Sequence, residues 1–371
     1  MSAAAPTSRD RARDATRDGA PPALLTNIQL LRAVAAMAVV VVHAKTILPG
    51  AMLEGWAGRA VSVGHAGVDV FFVISGFIMV HVTRPDTTPA RFIGNRIVRI
   101  VPFYYLVTFA TFALALVAPS LMQATEADPV HLAKSLAFVP FEKANGLIQP
   151  TVFVGWTINY EMMFYAVFAL ALLARGRTVR IVTAVLAVLV LLGPHVSGVP
   201  ATFYSNPIVL EFVAGMAIAR AMHRLCPPGV AAGLVAAGIA AIVLSPWIWP
   251  HDLHRALRFG IPAAAIVYGA LSLERAGWRF DGARLLGDAS FSIYLTHFYV
   301  TQAVAKVARA VEAGPALSVA LFGLALVGAA LFGIVVHRLV EMPLLRASRA
   351  LRDAVAGRRR EPRAARPGRI W

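Results

Sequence analysis

Apolar residues dominate this chain in long runs and seldom alternate with polar residues. Many runs reach 15–22 residues, and about 20 apolar residues in a helix cross a hydrocarbon core about 30 Å thick. Soluble helices of that length would show a polar face, which most of these runs lack. The pattern predicts an all-α, polytopic transmembrane helical bundle of about ten spans, at 28–46, 64–82, 98–119, 151–174, 179–193, 206–222, 230–248, 257–273, 287–308 and 315–338.

The charge distribution indicates how the bundle is oriented. The 371 residues are 58% hydrophobic and carry a formal net charge of +16. Most Lys and Arg fall in alternate segments between the spans, such as 84–99 and 275–284. By the positive-inside rule both termini are then cytoplasmic. The basic excess needs no nucleic acid to explain it, and attraction to anionic membrane lipid follows from it.

The same pattern divides the chain into three parts. We expect a disordered, basic cytoplasmic arm at 1–26, a transmembrane domain at 27–345 and an Arg-rich cytoplasmic tail at 346–371, disordered from residue 350. The first apolar run lacks the small-residue cleavage site of a secretory signal peptide. A single cysteine, Cys226, excludes an intramolecular disulfide framework and a multi-cysteine metal site.

The first span carries two ionisable residues on one face. Arg32 and His43 lie 11 positions apart in NIQLLRAVAAMAVVVVHA, close to three helical turns, and are separated by about 16 Å along the axis. Arg32 could extend to the headgroups, and His43 could form a helix–helix hydrogen bond. Ionisable residues within a span nevertheless cost free energy to place in the membrane and often have a functional role.

Further ionisable residues form two groups along the bundle. Asp69 and Glu161 are expected near His43 in the outer half, where such groups can move protons. Arg96 and Arg99 are three positions apart at the cytoplasmic start of the third span, and together with Arg32 they suit phosphate. Each arginine could instead be a topology anchor.

One pair of residues and one aromatic residue have a simpler explanation. Ser75 and Gly76 are typical of close helix packing, although a serine can also line a site. Trp156 is typical of the membrane interface. Neither pattern predicts chemistry alone.

Six short motifs occur in order between residues 27 and 345. They are R-x10-H at Arg32 and His43, GVDVFFVISGF at 67–77, R-x-x-R-x-x-P from Arg96 to Pro102, W-T-x-x-x-E from Trp156 to Glu161, SFSIYLTHF at 290–298, and E-x-P at Glu341 and Pro343. In these motifs and their order the chain resembles the acyltransferase-3 family of membrane acyltransferases, and NIQLLRAVAA is most similar to its exopolysaccharide O-acetylation branch. One departure is Ile158, where the family usually has Leu.

The resemblance implies transfer of an acyl group, usually acetyl, from cytoplasmic acyl-CoA to a hydroxyl of an exopolysaccharide or other cell-surface carbohydrate, free or lipid-linked. It implies a multi-pass protein of the bacterial cytoplasmic (inner) membrane, with acyl-CoA as co-substrate and no cofactor or metal. We expect no hydrolase-like domain after the spans, unlike in some members of the family. The residues expected to act are His43, Glu161 and Asp69 in catalysis, Arg32, Arg96 and Arg99 in donor binding, and Ser75, Trp156, Tyr160, Tyr294 and His297 in support or on the acceptor side.

Another class of function uses the same residue types. Proton-coupled secondary transporters and flippases also place Asp, Glu, His and Arg within their spans. The sequence shows no inverted repeat and no paired broken helices. The arginines that suit phosphate are separate from the residues that can act as bases, and this separation favours an enzyme over a transporter or a non-catalytic scaffold.

Overall fold

The computed structural model describes residues 25–121, 125, 127–249, 254–355 and 357. Within these residues the secondary structure is helical and contains no β-strand, so the predicted all-α fold is confirmed. The α-helices are α1 Thr26–Ala44, α2 Gly50–Leu53, α3 Trp56–Ser62, α4 Ala66–Val82, α5 Pro89–Val117, α6 Pro129–Leu136, α7 Trp156–Ala171, α8 Thr178–Leu192, α9 Val199–Tyr204, α10 Leu210–Arg220, α11 Pro228–Ile248, α12 Ile261–Arg275, α13 Arg284–Ala310, α14 Pro315–Val336 and α15 Met342–Val355.

Short turns of tighter or wider helix connect these elements. Two π-helical turns, Ala256–Gly260 and His337–Glu341, lead directly into α12 and α15. The 3₁₀ turns are Lys45–Ile47, Val63–His65, Pro119–Leu121, Phe153–Gly155, Gly193–His195, Pro207–Val209, Met222–Arg224 and Asp281–Ala283.

Each predicted span overlaps one of the longer helices, but not all of these helices meet the same criterion for crossing a membrane. The helices α7, α10 and α13 are too short or too polar, so the count of ten stays a prediction. Seven helical stretches in the described part of the chain are long and apolar enough: Thr26–Ile47, Trp56–Val82, Pro89–Val117, Thr178–His195, Pro228–Ile248, Ala256–Arg275 and Pro315–Val355.

Helix α5 begins well before the apolar window that predicted it. Thr88 caps the helix by accepting a hydrogen bond from the Arg91 backbone N–H at 3.3 Å, and Pro89 occupies the first helical position. Pro102, which falls near the start of the span predicted at 98–119, therefore lies inside the helix. Arg96 and Arg99 consequently project from its third turn.

Helices α4 and α10 cross closely because glycines face each other's backbone. A Cβ on Gly76 would lie 2.1 Å from the Phe212 carbonyl oxygen, and one on Gly215 would lie 2.0 Å from the Val73 carbonyl oxygen. Only glycine permits such an approach. The packing role expected of Gly76 is confirmed, and the close crossing leaves the neighbouring Ser75 beside the centre of the bundle.

The tail continues as helix to Val355. Residues 350–355 complete the helix α15, so the disorder expected from residue 350 is wrong for these residues. Leu345 is buried, and Arg352 Nη1 donates to Asn95 Oδ1 of α5 at 2.5 Å. Residues 1–24 of the basic arm predicted at 1–26 and most of the tail beyond Val355 lie outside the described residues, whereas Thr26 already begins helix α1.

Candidate active site

A cavity of about 150 Å³ lies between α1, α4, α5, α7 and α13. Its walls are mostly apolar and include Phe71, Ile74 and Ile100. Small-molecule sites typically combine apolar walls with a few converging polar groups. The polar and charged side chains that line this cavity are Arg32, Ser75, Arg96, Arg99, Thr157, Glu161, Tyr165, Ser290 and Tyr294.

Glu161 is held on the cavity wall through one of its two oxygens. Ser75 Oγ donates to Glu161 Oε1 at 3.0 Å, and Tyr165 Oη donates to the same atom. Tyr165 lies one turn further along α7, a spacing that the sequence already shows. Neither bond uses Oε2, so this oxygen remains able to accept a hydrogen bond from a ligand.

Arg99 is fixed by a carboxylate from the far end of the chain. Its guanidinium forms an ion pair with Glu341, which is 1% exposed. Glu341 also accepts a hydrogen bond from Ser292 Oγ at 2.6 Å and contacts His337 Nδ1 at 2.8 Å. A buried ion pair is stable only when further hydrogen bonds satisfy its charges. The E-x-P motif thus supplies a positioning carboxylate, a role that sequence reasoning missed.

Arg32 and Arg96 complete the positive side of the cavity. Arg32 Nη1 donates to Gln29 Oε1 at 3.3 Å, one turn earlier on α1. Arg96 is 8% exposed, and its buried Nε has no hydrogen-bond partner among the described residues. The three arginines expected to act together therefore do line one cavity, but Glu161 lines it with them and does not lie beside His43.

His43 has a different partner from those expected. Its Nδ1 lies 2.9 Å from His297 Nε2, and the two rings have centroids 5.0 Å apart. His297 is fully buried, whereas His43 is partly exposed and also contacts the Phe153 ring edge-on, at 5.0 Å. The structure therefore brings together two histidines that are 254 positions apart in sequence.

The hydrogen bonds around His297 fix which nitrogen carries each proton. His297 Nδ1 lies 2.8 Å from the carbonyl oxygen of Tyr294 and 3.1 Å from that of Ile293. Carbonyl oxygens only accept, so Nδ1 of His297 carries the hydrogen and Nε2 of the neutral ring accepts. His43 Nδ1–H must then donate to it. This tautomer is assigned from the hydrogen-bond network. It leaves the lone pair of His43 on Nε2, which has no hydrogen-bond partner among the described residues and can take a proton.

Asp69 is occupied by an ion pair away from this network. Arg255 Nε and Nη2 donate to the two oxygens of Asp69 at 3.1 and 2.7 Å, and Nη2 also donates to the His65 carbonyl at 2.7 Å. The Asp69 side chain is 0% exposed. Bidentate pairing of this kind links α4 to the segment before α12. The hydrogen bonds therefore place Asp69 in a structural pair, and it does not support His43 as expected.

The remaining aromatic candidates have mixed positions. Tyr160 stacks on Phe203 at 4.1 Å and donates to the carbonyl oxygen of the same residue at 2.7 Å. Trp156 packs edge-on against Tyr160 at 5.9 Å. Tyr294 instead lines the cavity and donates to the Val154 carbonyl at 3.0 Å. Because Tyr294 and His297 are one turn apart on α13, the histidine pair lies one turn from the cavity wall.

Comparisons with known proteins match most of the chain. A family model described as an acyltransferase domain (Acyl_transf_3) matches residues 25–336. The exopolysaccharide production protein ExoZ of Rhizobium meliloti (strain 1021) is 40% identical over 319 residues, which cover 82% of this chain and 97% of that protein. The acyltransferase MdmB of Streptomyces mycarofaciens is 27% identical over 330 residues, covering 77% and 82%. No solved structure matches significantly.

The matched region contains the cavity, both histidines and all the arginines described above except those of the tail. The chain belongs to the acyltransferase-3 family and is a multi-pass membrane acyltransferase.

Proposed function

We propose that this protein transfers an acyl group, in the simplest case acetyl, from acyl-CoA to a hydroxyl of an exopolysaccharide or another cell-surface carbohydrate. The acceptor is proposed because the relative from Rhizobium meliloti is named as an exopolysaccharide production protein. The donor is proposed because three arginines line one cavity. The protein would act in the bacterial cytoplasmic membrane, with the donor entering from the cytoplasm.

The observation that carries this proposal is the hydrogen-bonded pair of His43 and His297. Nε2 of His43 would remove the proton from the acceptor hydroxyl as its oxygen attacks the thioester carbonyl. The tetrahedral intermediate would then collapse, the C–S bond would break, and the CoA sulfur would take the proton back from the imidazolium. His297 would accept a hydrogen bond from His43 throughout, so the ring keeps its orientation and its positive charge is stabilised.

The cavity would hold the donor while this occurs. The guanidiniums of Arg32, Arg96 and Arg99 suit phosphate oxygens, which arginine can bind bidentately. Pantetheine carries amide N–H groups, and Glu161 Oε2 is able to accept from one of them. Glu161 would therefore position the arm of the donor and not the base, because its contacts are with Ser75 and Tyr165.

The same lone pair on His43 offers a second route. Nε2 could attack the thioester itself and carry the acyl group as acyl-histidine before the acceptor hydroxyl receives it. The two routes give different kinetics, because only the acyl-histidine route is ping-pong. For that route alone, double-reciprocal plots of rate against donor concentration, made at several fixed acceptor concentrations, should give parallel lines. Both routes fail without His43.

The proposal is tested by following acetyl groups in cells and with purified protein. Surface glycans from a strain lacking the gene should lose O-acetyl groups, as judged by mass spectrometry. The wild-type gene should restore them and a His43→Ala gene should not. Purified protein in lipid nanodiscs should transfer label from acetyl-CoA to deacetylated glycan fragments. Unchanged glycans in the deletion strain, together with no transfer in nanodiscs, would refute the proposal.

A further inference from the structure

A second cavity, of about 110 Å³, opens where α4 ends and α5 begins. A water molecule needs only about 10–15 Å³ of such space, so the cavity can admit a larger group. Among the described residues, its lining includes three arginines, Arg84, Arg91 and Arg96, and no carboxylate. It also includes the neutral polar side chains of Thr83, Thr87 and Asn95.

The turn between the helices presents these groups on one side. Thr87 accepts a hydrogen bond from the Arg84 backbone N–H at 3.0 Å, and its own N–H donates to the Arg84 carbonyl at 3.0 Å. Arg91 and Asn95 follow with a spacing of four positions, so they share a face of α5. The polar side chains of the turn and of α5 therefore converge on a space beside the N-terminal end of α5. The helix dipole at that end also favours an anion.

Arg96 lines both cavities. It is 8% exposed, and its Nε has no hydrogen-bond partner in the described part of the chain. A buried N–H of a charged group lowers stability when no acceptor bonds to it. An anionic ligand at this position would supply that acceptor. Arg84 and Arg91 are exposed at the entrance, and Arg96 lies at the junction with the larger cavity.

One carboxylate beside this entrance, Asp86, is a weak competitor. Asp86 lies 3.8 Å from Arg91, and the two side chains are 72% and 50% exposed. Exposed pairs of this kind contribute little. A phosphate with several oxygens, in contrast, can accept hydrogen bonds from two guanidiniums and a threonine hydroxyl together.

We propose that this second cavity binds the 3′-phosphate at the nucleotide end of acyl-CoA, beside the diphosphate that meets the arginines of the larger cavity. The pantetheine arm would then pass Arg96 and place the thioester in the larger cavity beside Glu161. Acyl-CoA fits this arrangement because its phosphates are at one end, its thioester is at the other, and a narrow arm joins them. The inference rests on the proposed function and adds Arg84 and Arg91 to the donor site.

The test compares two donors in the full-length protein in phosphatidylcholine nanodiscs. Acetyl-CoA carries the phosphates, and S-acetylpantetheine lacks them. The double variant Arg84→Gln/Arg91→Gln should raise KM for acetyl-CoA about tenfold or more, with kcat unchanged, because the phosphates are remote from the reacting carbon. Both constants for S-acetylpantetheine should be unchanged. Asp86→Asn should move KM for acetyl-CoA slightly downward.

The control is a second pair of exposed arginines outside both cavities. Arg175→Gln/Arg177→Gln removes the same charge from the loop between α7 and α8 and should alter neither donor. An equal change for both donors in the Arg84/Arg91 variant, or no change for either, would overturn the assignment. A similar rise in KM in the control variant would show a general charge effect and overturn it as well.

Direct binding separates this inference from the proposed function. Labelled CoA should bind the wild type and lose affinity in the Arg84/Arg91 variant even if no acyl transfer is detected, in which case only the proposed function fails. If the protein transfers acetyl from S-acetylpantetheine but the wild type and the Arg84/Arg91 variant bind CoA with equal affinity, only the inference is overturned. A further outcome is that phosphatidylglycerol or inorganic phosphate displaces CoA from the wild type at concentrations that do not change CoA binding to the Arg84/Arg91 variant. That result would assign the cavity to a lipid headgroup or to free phosphate and would overturn the inference.

Discussion

Replacing His297 should reveal whether it directs His43. In His297→Leu the side chain can no longer accept the hydrogen bond from His43 Nδ1, which is 2.9 Å long in the wild type. Hydrogen bonds to groups that become charged contribute about 1.5–3 kcal/mol. Since each 1.36 kcal/mol is a tenfold change in rate, kcat should fall roughly 10- to 150-fold. KM for the donor should not change, because the phosphate contacts lie elsewhere.

The informative comparison is His297→Gln. Its amide oxygen can reach the place of Nε2 and accept from His43, so it should recover much of the lost kcat. Thermal unfolding of both variants in nanodiscs controls for the loss of a fully buried ring. Equal turnover in the leucine variant and the wild type would refute the reasoning. So would a glutamine variant that is as stable as the leucine variant and equally inactive.

Further predictions address the other residues and the orientation. His43→Ala and His43→Gln should both reduce kcat by about 10²–10⁴ if the ring acts as general base. Asp69→Asn should lower the unfolding temperature, because it removes one partner of a buried pair, while folded molecules keep their kcat. Arg96→Ala should raise KM for acyl-CoA in steady-state assays with little change in kcat. A reporter active only in the cytoplasm should work after residue 345, and one active only outside should work near Pro129.

Each of these predictions has a contrary result. Near-normal turnover by a stable His43 variant would make His43 structural and leave His297 as the base. Lost turnover at unchanged stability would return Asp69 to the catalytic group. Unchanged donor kinetics in the Arg96 variant would make it a topology anchor, and reversed reporter signals would place the arginines on the wrong side for the donor.

The sequence predicted the elements of the site better than their pairing. An 11-residue spacing suffices to place Arg32 and His43 on one face of α1, and a four-residue spacing suffices to place Tyr165 beside Glu161. These relations are local and follow from helix geometry. The third span was predicted nine residues too short at its start, since a hydropathy window does not register the cap at Thr88.

The failures concern contacts between distant parts of the chain. Asp69 and Arg255 are 186 positions apart, and His43 and His297 are 254 apart. Nothing in one sequence says which of several buried ionisable groups meet, because that depends on how the helices pack. Glu161 was therefore assigned to the wrong neighbour, although its presence in the site was expected.

The pairing of Arg99 with Glu341 bears on where the working unit ends. The family match stops at residue 336, yet the carboxylate that neutralises Arg99 lies five positions later, in the turn that leads into α15. A protein trimmed at the end of the match would lose the carboxylate that pairs with this largely buried guanidinium, a loss that typically costs about 3–5 kcal/mol. Shortened forms made for expression or crystallisation should therefore keep the chain through Leu345.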